Sequence, residues 1–463
     1  MDNKKPLIIY GANETPVQKR SLEVLSKLIL EYTNEYTGCY RYGTLGGVDI
    51  SNCRLIYIGT KENNPYIKEN SAKTLTKSEE YYILVKNDEV IIQGYDDAGV
   101  LYGCVDFYNK YLIEFDFISY GKFIDAIPEF ELQSAPSIKN RGLWTWGHVI
   151  YDYRSYIDNM VKLKMNTLIM WNEFAPLNAS EILEYAHSNN VKLIWGFSWL
   201  YNFNKEVDIE HVDDKIDGIL EEFERNYSKI ALDGIYFQTF TESLVETHNG
   251  IDIAESATNF VNKVSARFFE KYPNLEIQFG LHATSVKNKL DIMKRVDERV
   301  QIVWEDCGAF PFTYSPMATE NFDETVDFMT KVANLRGKSD NFGVVTKGIT
   351  CLDWKKFEHH TGPYTIGVSN RTFRAERAMK KRRVWRWVQS FWTTNAAYVQ
   401  KMLKTLCDAK NGNLYVTGLV EDGMFEEKVF MPVAMFGELM WNPNLDLTKE
   451  YNLITLRHYV EFV

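Results

Sequence analysis

Two carboxylate-bearing segments of the sequence have residue types suited to acid–base chemistry. The first, Asp-Gly-Ile-Tyr-Phe-Gln-Thr-Phe-Thr-Glu-Ser at 233–243, reads as a buried strand that finishes on Glu242. The second, Val-Trp-Glu-Asp-Cys at 303–307, carries Glu305 and Asp306. Glycosidic bonds are cleaved by such a pair, in which one carboxylic acid protonates the leaving oxygen and one carboxylate activates water or attacks carbon. The residue types therefore favour glycoside hydrolysis.

Glu242 is the predicted general acid. Phe237 and Phe240 nearby would help to raise its pKa by desolvation, as a proton donor near neutrality requires. Because neighbours on a strand point to opposite faces, only one of Glu305 and Asp306 need enter the site; we prefer Glu305 and leave Asp306 open. Each catalytic role has a structural alternative. Glu242 would instead cap a turn or pair with a lysine, and Glu305 or Asp306 would instead form a salt bridge or cap a helix.

Aromatic residues accompany these carboxylates. All eleven tryptophans lie after residue 143, and exposed rings are good platforms for sugar faces, although large cores also use tryptophan. Glu173, Asp353 and the pair Glu421–Asp422 are interpreted as structural or as binding sugar hydroxyls. The predicted substrate-binding residues are Trp144, Trp146, His148, Trp171, Asn172, Glu173, Gln238, His282, Trp304, Asp353, Trp354 and Glu421.

Motifs of other reaction classes are missing from the sequence. His148 and His282 lack the spacing of metal ligands, so we expect neither a metal nor a cofactor. The chain has no phosphate-binding glycine loop and no Gly-x-Ser-x-Gly elbow, which disfavours nucleotide and serine hydrolase chemistry.

The pattern from residue 140 onward alternates strands with helices, which predicts a parallel eight-stranded (β/α)8 TIM barrel rather than an open doubly wound sheet. Active sites of such barrels lie where strands end, and the strand ends here carry Trp, His, Lys347 or a carboxylate. The predicted strands are 141–147, 166–171, 191–198, 232–241, 275–282, 300–306, 342–349 and 413–420. The predicted helices are 153–164, 179–189, 212–228, 251–272, 285–297, 322–336, 384–409 and 426–440.

A smaller α/β domain is predicted before the barrel, with the boundary at residue 130 and the catalytic domain at 131–463. Its predicted elements are strands Pro6–Tyr10 and Arg54–Ile58, helices Val17–Tyr32 and Asp96–Leu112, and a hairpin of Tyr81–Val85 with Glu89–Gln93. We interpret Ile124–Ser137, rich in Pro and Phe, as a linker.

Composition limits the possible partners. The 463 residues are 45% hydrophobic and carry a net charge of −11, which disfavours a general nucleic-acid binder. No apolar run approaches membrane-spanning length, so we expect no membrane partner. The protein is expected to be cytoplasmic, or periplasmic or secreted if a leader has been removed, and its oligomeric state stays open. Six scattered cysteines indicate reduced thiols rather than a disulfide framework.

The segment 371–386 is strongly basic, with eight Lys or Arg in sixteen residues. A solvated helix face is the favoured interpretation, and polyanion binding is the alternative. Trp387 and Trp392 follow it at the helical spacing of buried residues, so both are predicted to lie in the core.

The connection 350–388, with Trp354, His359, His360 and Tyr364, is predicted to cover the site and contact an anionic sugar substituent. A non-catalytic carbohydrate-binding barrel is the rival to the enzyme.

Three segments resemble family 20 hexosaminidases and family 67 α-glucuronidases. In those families a strand pair leads to a helix with the pattern Asp-x-x-Gly-x-x-Tyr-Gly, which Asp97, Gly99, Tyr102 and Gly103 resemble here. The barrel entry Asn140-Arg-Gly-Leu-Trp and the closing Phe436-Gly-Glu-Leu-Met-Trp-Asn-Pro are also similar. The resemblance implies a small hexosaminidase-like domain before a catalytic barrel that acts on carbohydrate.

The resemblance also implies roles for individual residues. The families place their acid at the end of strand four, which maps onto Glu242. Hexosaminidases have an acetamide-orienting Asp before that Glu, whereas this chain has Thr241, a small polar residue as in the α-glucuronidases. Base carboxylates from strands six and seven would be Glu305 or Asp306, with Asp353 as a further candidate. The implied activity is therefore hexosaminidase-like or α-glucuronidase-like, with two carboxylates.

Overall fold

The computed structural model of the chain describes most of its residues. Described are 4–12, 14–87, 89–118, 128–146, 150–171, 174–197, 199, 209–241, 245–306, 308, 322–349, 363–367, 371–420 and 425–463, without the side chains of Ile118, Trp146 and Arg377. In these ranges, no helix combines the length and the apolar composition that a membrane crossing needs.

Two compact units make up the chain. The first comprises residues 1–136 with the short segments 187–190 and 448–459, and the second comprises 137–186, 191–447 and 460–463. The predicted division after residue 130 falls inside a strand, Phe130–Ser134, that pairs with the first unit's sheet. The sheet thus extends into the segment that we predicted to be a linker.

The first unit is built on a mixed six-stranded sheet. In spatial order, the first four strands are parallel to one another. The fifth strand, Tyr81–Lys86, is antiparallel to both of its neighbours, Glu89–Gly94 and Phe130–Ser134. Its pairing with Glu89–Gly94 confirms the predicted hairpin. The strands in spatial order are Gly38–Arg41, Lys5–Tyr10, Cys53–Gly59, Glu89–Gly94, Tyr81–Lys86 and Phe130–Ser134. The helices are Pro16–Thr33, Pro65–Asn70, Asp97–Asp106, the π-helix Phe107–Phe115, and Asp116–Ile118.

Local capping sets the helix starts in this unit. Thr15 accepts a hydrogen bond from the backbone N–H of Gln18 at 3.2 Å, and Asp96 accepts one from Gly99 at 2.8 Å. Asp96, rather than the Asp97 named in the family comparison, therefore occupies the first position of the Asp-x-x-Gly motif.

The second unit contains a closed barrel of eight parallel strands, which confirms the predicted fold class. Each barrel strand pairs with the next in sequence, and the eighth pairs with the first. Barrel strands one to eight are Asn140–Trp146, Thr167–Trp171, Lys192–Gly196, Gly234–Phe237, Glu276–His282, Val300–Glu305, Phe342–Thr346 and Leu414–Leu419. Two short pairs, Thr247–His248 with Ile251–Asp252 and Val429–Phe430 with Val460–Glu461, complete the strands.

The helices that follow the barrel strands differ most from the prediction in two places. The predicted helix 285–297 is reduced to Leu290–Met293, and the helix predicted from 384 begins at Arg371. Trp392 is buried as predicted, but Trp387 is 48% exposed. The helices of the second unit are Tyr153–Lys162, Ala179–Ser188, the 3-10 helix Val212–Lys215, Ile216–Asn226, Ile253–Lys271, Leu290–Met293, Phe322–Ala333, Arg371–Ala409 and Met431–Trp441. The last helix, Leu447–Ile454, falls almost wholly in the first unit's segment 448–459.

The barrel interior is apolar in its middle and polar towards the amino ends of the strands. Lys192 pairs with Glu276 at 2.9 Å, and Tyr415 donates a hydrogen bond to the same carboxylate. One layer higher, Gln278 donates to Gln301 at 3.3 Å. The apolar layers above it include Trp144, Ile169, Trp171, Ile194, Tyr236, Val303, Val345 and Leu419. Every second side chain of each strand points inwards, and these side chains together fill the barrel.

Candidate active site

Glu305 is the central polar side chain at the carboxyl end of the barrel. It is the last residue of barrel strand six and is fully buried. Its Oε2 lies 2.5 Å from Nζ of Lys347, which follows barrel strand seven. Its Oε1 accepts hydrogen bonds from the hydroxyl of Tyr236 and the amide of Gln238, both from barrel strand four or the residues directly after it. Three barrel strands therefore contribute to the environment of one carboxylate.

The surroundings of Glu305 favour its ionised form. Burial alone would raise the pKa of this carboxyl, and it is the largest single influence. Electrostatic attraction by Lys347 and, after it, His282, with the hydrogen bonds from Lys347 and Tyr236, outweighs burial and holds the pKa of Glu305 below its usual value. Glu305 is therefore an anion at neutral pH, sealed in a site with little water to screen its charge.

Asp306 has a different surrounding from its neighbour, because consecutive strand residues point to opposite sides. Its Oδ1 accepts the backbone N–H groups of Lys347 at 2.7 Å and Gly308 at 2.9 Å, and the side chain is 1% exposed. Asp306 thus ties the chain after strand six to the chain after strand seven. The structure brings Glu305, and not Asp306, to the barrel axis.

The predicted aromatic platforms at these strand ends lie in the core. Trp144 and Trp171 are fully buried, and their rings pack with Tyr236 at centroid distances of 6.0 Å and 5.7 Å. Trp304 is 1% exposed, on the opposite face of its strand from Glu305, and its indole N–H donates to the carbonyl of Ala283 at 3.0 Å. Their burial corrects the expectation that these three rings stack on sugars.

Two further predicted residues lie beside Glu305. Gln238 is 1% exposed and donates to Glu305, so its amide serves the carboxylate rather than open solvent. His282 ends barrel strand five, is partly exposed and lies directly opposite Glu305 in the strand pairing. His282 is therefore the predicted binding residue that the structure places both near the carboxylate and within reach of solvent.

Barrel strand four ends earlier than predicted. It stops at Phe237, so Glu242 is not its final residue. The chain instead turns at Phe240, whose φ of 56° lies in the left-handed region that a bulky residue seldom adopts. The hydroxyls of Thr239 and Thr241 are buried and have no hydrogen-bond partner in the described structure. They line a small cavity with Phe240 and Phe279.

Several predicted residues lie outside the residues described, so their arrangement stays a prediction. They are the side chain of Trp146 and the residues His148, Asn172, Glu173, Glu242, Asp353, Trp354, Glu421 and Asp422. Within the described ranges, no three His, Cys, Asp or Glu side chains are grouped so as to hold a metal ion.

Two residues of the site were not predicted. The sequence places Lys347 at a strand end without indicating a role, and it places Tyr236 in a buried strand. The alternation of side chains along a strand could have indicated both residues, because residues two apart lie on the same face. Tyr236 lies on the same face as Gln238, and Lys347 lies on the same face as Val345, which belongs to the barrel core.

Comparison with known proteins agrees with the predicted resemblance in architecture. No protein-family model and no curated protein matches the chain. One similar solved structure is a GH138 enzyme targeting pectin rhamnogalacturonan II (TM-score 0.57, 13% identity, 96% of this chain and 65% of that one). A second is CpGH84D (TM-score 0.52, 13% identity, 96% and 67%).

A third similar structure is the beta-N-acetylhexosaminidase from Bacteroides fragilis NCTC 9343 (TM-score 0.52, 11% identity, 98% of this chain and 90% of that one). The chain thus spans about two-thirds of the length of the first two proteins and most of the third. At such identities the likeness shows the fold. The chain has the barrel architecture of these glycoside hydrolases.

Proposed function

We propose that the protein is a glycoside hydrolase that cleaves an oligosaccharide, a polysaccharide or a glycoconjugate by two-carboxylate catalysis. The observation that carries the proposal is Glu305, a buried and ionised carboxylate at the end of the barrel where active sites of this fold lie. The similarity of the fold to glycoside hydrolases supports the same reaction class. Thr241 before Glu242 favours an ordinary two-carboxylate mechanism over an acetamide-assisted one.

The reaction requires a proton donor and a stabilised positive charge on the sugar. We assign the donor role to Glu242. Glu305 supplies negative charge opposite the oxocarbenium-like transition state, while Tyr236 and Gln238 fix its orientation. A direct role as base or nucleophile requires Lys347 to move away from Oε2, whereas an electrostatic role leaves the ion pair intact.

A screen of aryl glycosides and natural glycans, with product anomers followed by proton NMR, tests the reaction. Once a substrate is found, Glu305→Gln should lower kcat by roughly two to four powers of ten. Asp306→Asn is the matched control, because its remaining side-chain oxygen can still accept both backbone N–H groups. Wild-type turnover in Glu305→Gln would remove Glu305 from the mechanism, and binding without turnover across the panel would indicate a carbohydrate-binding barrel.

Chemical rescue separates the two roles of Glu305. If its oxygen attacks carbon or activates water, azide or formate should restore part of the activity of Glu305→Ala, because a small anion can take the vacated space. If Glu305 acts only through its field, added anions should restore little. Glu242→Gln should also lose roughly two to four powers of ten, least with activated leaving groups, which hardly need the proton.

A further inference from the structure

The helix Arg371–Ala409 is much longer than the barrel wall that it covers. Just after its end, Lys410 donates to the carbonyl of Gly337, before barrel strand seven begins, at 2.7 Å. Trp392 donates to the carbonyl of Gly348, two residues after that strand ends, at 3.3 Å. Residues 371–391 therefore extend about 30 Å beyond the carboxyl end of the strand, on the side where Glu305 lies.

One face of this extension packs against the protein. Arg374 pairs with Glu427 at 2.5 Å and with Asp152 at 3.4 Å. Further along, the ring of Trp385 stacks on Phe430 with centroids 4.5 Å apart. The ion pairs and the ring stacking attach one face of the extension to the protein, and the opposite face is exposed to solvent.

That other face is basic and aromatic. Lys380, Arg383 and Arg386 are exposed, and none of the three forms an ion pair with any residue that the structure describes. Trp387 is 48% exposed and follows Lys380 and Arg383 at helical spacing. Glu376 is the only acidic residue between 371 and 391. We call Lys380, Arg383, Arg386 and Trp387 the basic stripe.

We propose that the basic stripe binds a carboxylated polysaccharide, a chain rich in uronate sugars, and leads it to the carboxyl end of the barrel. The inference rests on the proposed function, whose substrate class it names. The charge is complementary, since guanidinium and ammonium groups pair with carboxylates while the indole offers a flat apolar surface to a sugar ring. The stripe is locally positive although the whole chain carries a net charge of −11.

Nucleic acid is the less favoured occupant. Non-specific binding to nucleic acid depends on many phosphate contacts, and the stripe offers three cations on an acidic protein. A polymer with alternating carboxylates and apolar sugar faces matches cations and an indole on one helix face better than a dense phosphate backbone does.

Affinity gel electrophoresis of the whole protein tests the proposal. Polygalacturonate is the probe, and fully methyl-esterified polygalacturonate is its uncharged counterpart. The triple variant Lys380→Gln/Arg383→Gln/Arg386→Gln should bind polygalacturonate roughly tenfold more weakly, because each exposed charge contributes about two- to threefold. The matched control removes three exposed lysines elsewhere on the barrel unit: Lys229→Gln/Lys294→Gln/Lys331→Gln. It should bind like the wild type.

Three outcomes would overturn the proposal: equal retardation by the esterified polymer, equal loss in both triple variants, or tighter binding of single-stranded DNA than of polygalacturonate at the same salt. Failure of the proposed function has a different signature. If polygalacturonate retards the protein through the basic stripe but no glycoside is cleaved, the binding proposal stands and the proposed hydrolase function is refuted. If neutral glycans are cleaved but polygalacturonate causes no retardation, the binding proposal is refuted and the proposed hydrolase function stands.

Discussion

Replacing Lys347 with methionine should destabilise the barrel by about 3–5 kcal/mol at pH 8. The change removes the charge that faces Glu305 but keeps most of the apolar length of the side chain. In the wild type the two side chains are 6% and 0% exposed, so water cannot replace the lost ammonium group. Removing one partner of a buried pair leaves an uncompensated charge, and this penalty sets the magnitude.

The effect of the Lys347→Met substitution should grow with pH. In the wild type the pKa of Glu305 is below its ordinary value of 4.5, so its contribution to stability is present above pH 4.5 and lost as the pH falls through the folded pKa. Without Lys347, only His282 and the remaining hydrogen bonds oppose the effect of burial on Glu305. We therefore expect the pKa of Glu305 to rise above its ordinary value. The variant then loses stability as the pH rises from about 4.5, so the gap to the wild type widens.

Urea unfolding at pH 5 and pH 8 measures this difference. The double variant Lys347→Met/Glu305→Gln should recover most of the loss, because a neutral amide replaces the unpaired anion. Lys401→Met breaks an exposed pair with Asp323 and should change the unfolding midpoint little. A Lys347→Met protein as stable as the wild type at both pH values would refute an ionised, charge-compensated Glu305.

Two other predictions concern stability. Glu426 is buried and its burial raises its pKa to about 7, so the wild type loses stability as the pH rises from about 4.5 to 7. Glu426→Gln should therefore gain up to about 3 kcal/mol at pH 8 and little at pH 5, and equal gains in thermal unfolding at both pH values would contradict this. Gly142→Ala would place a Cβ 1.6 Å from the carbonyl oxygen of Thr167 and should cost about 3 kcal/mol, whereas Gly218→Ala, in an open helical position, should stabilise by about 0.5–1 kcal/mol. Urea midpoints of the two alanine variants shifted by the same amount would refute the steric argument.

The barrel was predictable because its pattern repeats. Each buried run that follows a helical segment became a barrel strand, and strand five, predicted at 275–282, is found at Glu276–His282. Errors concentrate where local pattern competes with tertiary contacts. Phe130–Ser134 resembles a linker, yet it completes a sheet by pairing with Tyr81–Lys86, and no local feature of the segment shows that partner.

The site was less predictable, because sequence indicates which residues end a strand but not how deep each side chain lies. Trp144 and Trp171 have the residue type of a sugar platform, and only the packing around Tyr236 shows that they fill the barrel. The separation of Glu305 from Asp306 likewise depends on which face of the strand turns inward. Alternation predicted that they would differ, but it could not tell which one faces the axis.

The left-handed backbone conformation of Phe240 lowers the stability of the fold at a position that leads to the proposed acid, Glu242. Glycine adopts such a φ freely, whereas a bulky residue there costs about 1–3 kcal/mol of strain. The aromatic ring lines the cavity beside Thr239 and Thr241, on the segment that leads to Glu242. A Phe240→Gly change would relieve the strain and free that segment at the same time. Relief of the backbone strain at this position is therefore set against the placement of the residues that lead to Glu242.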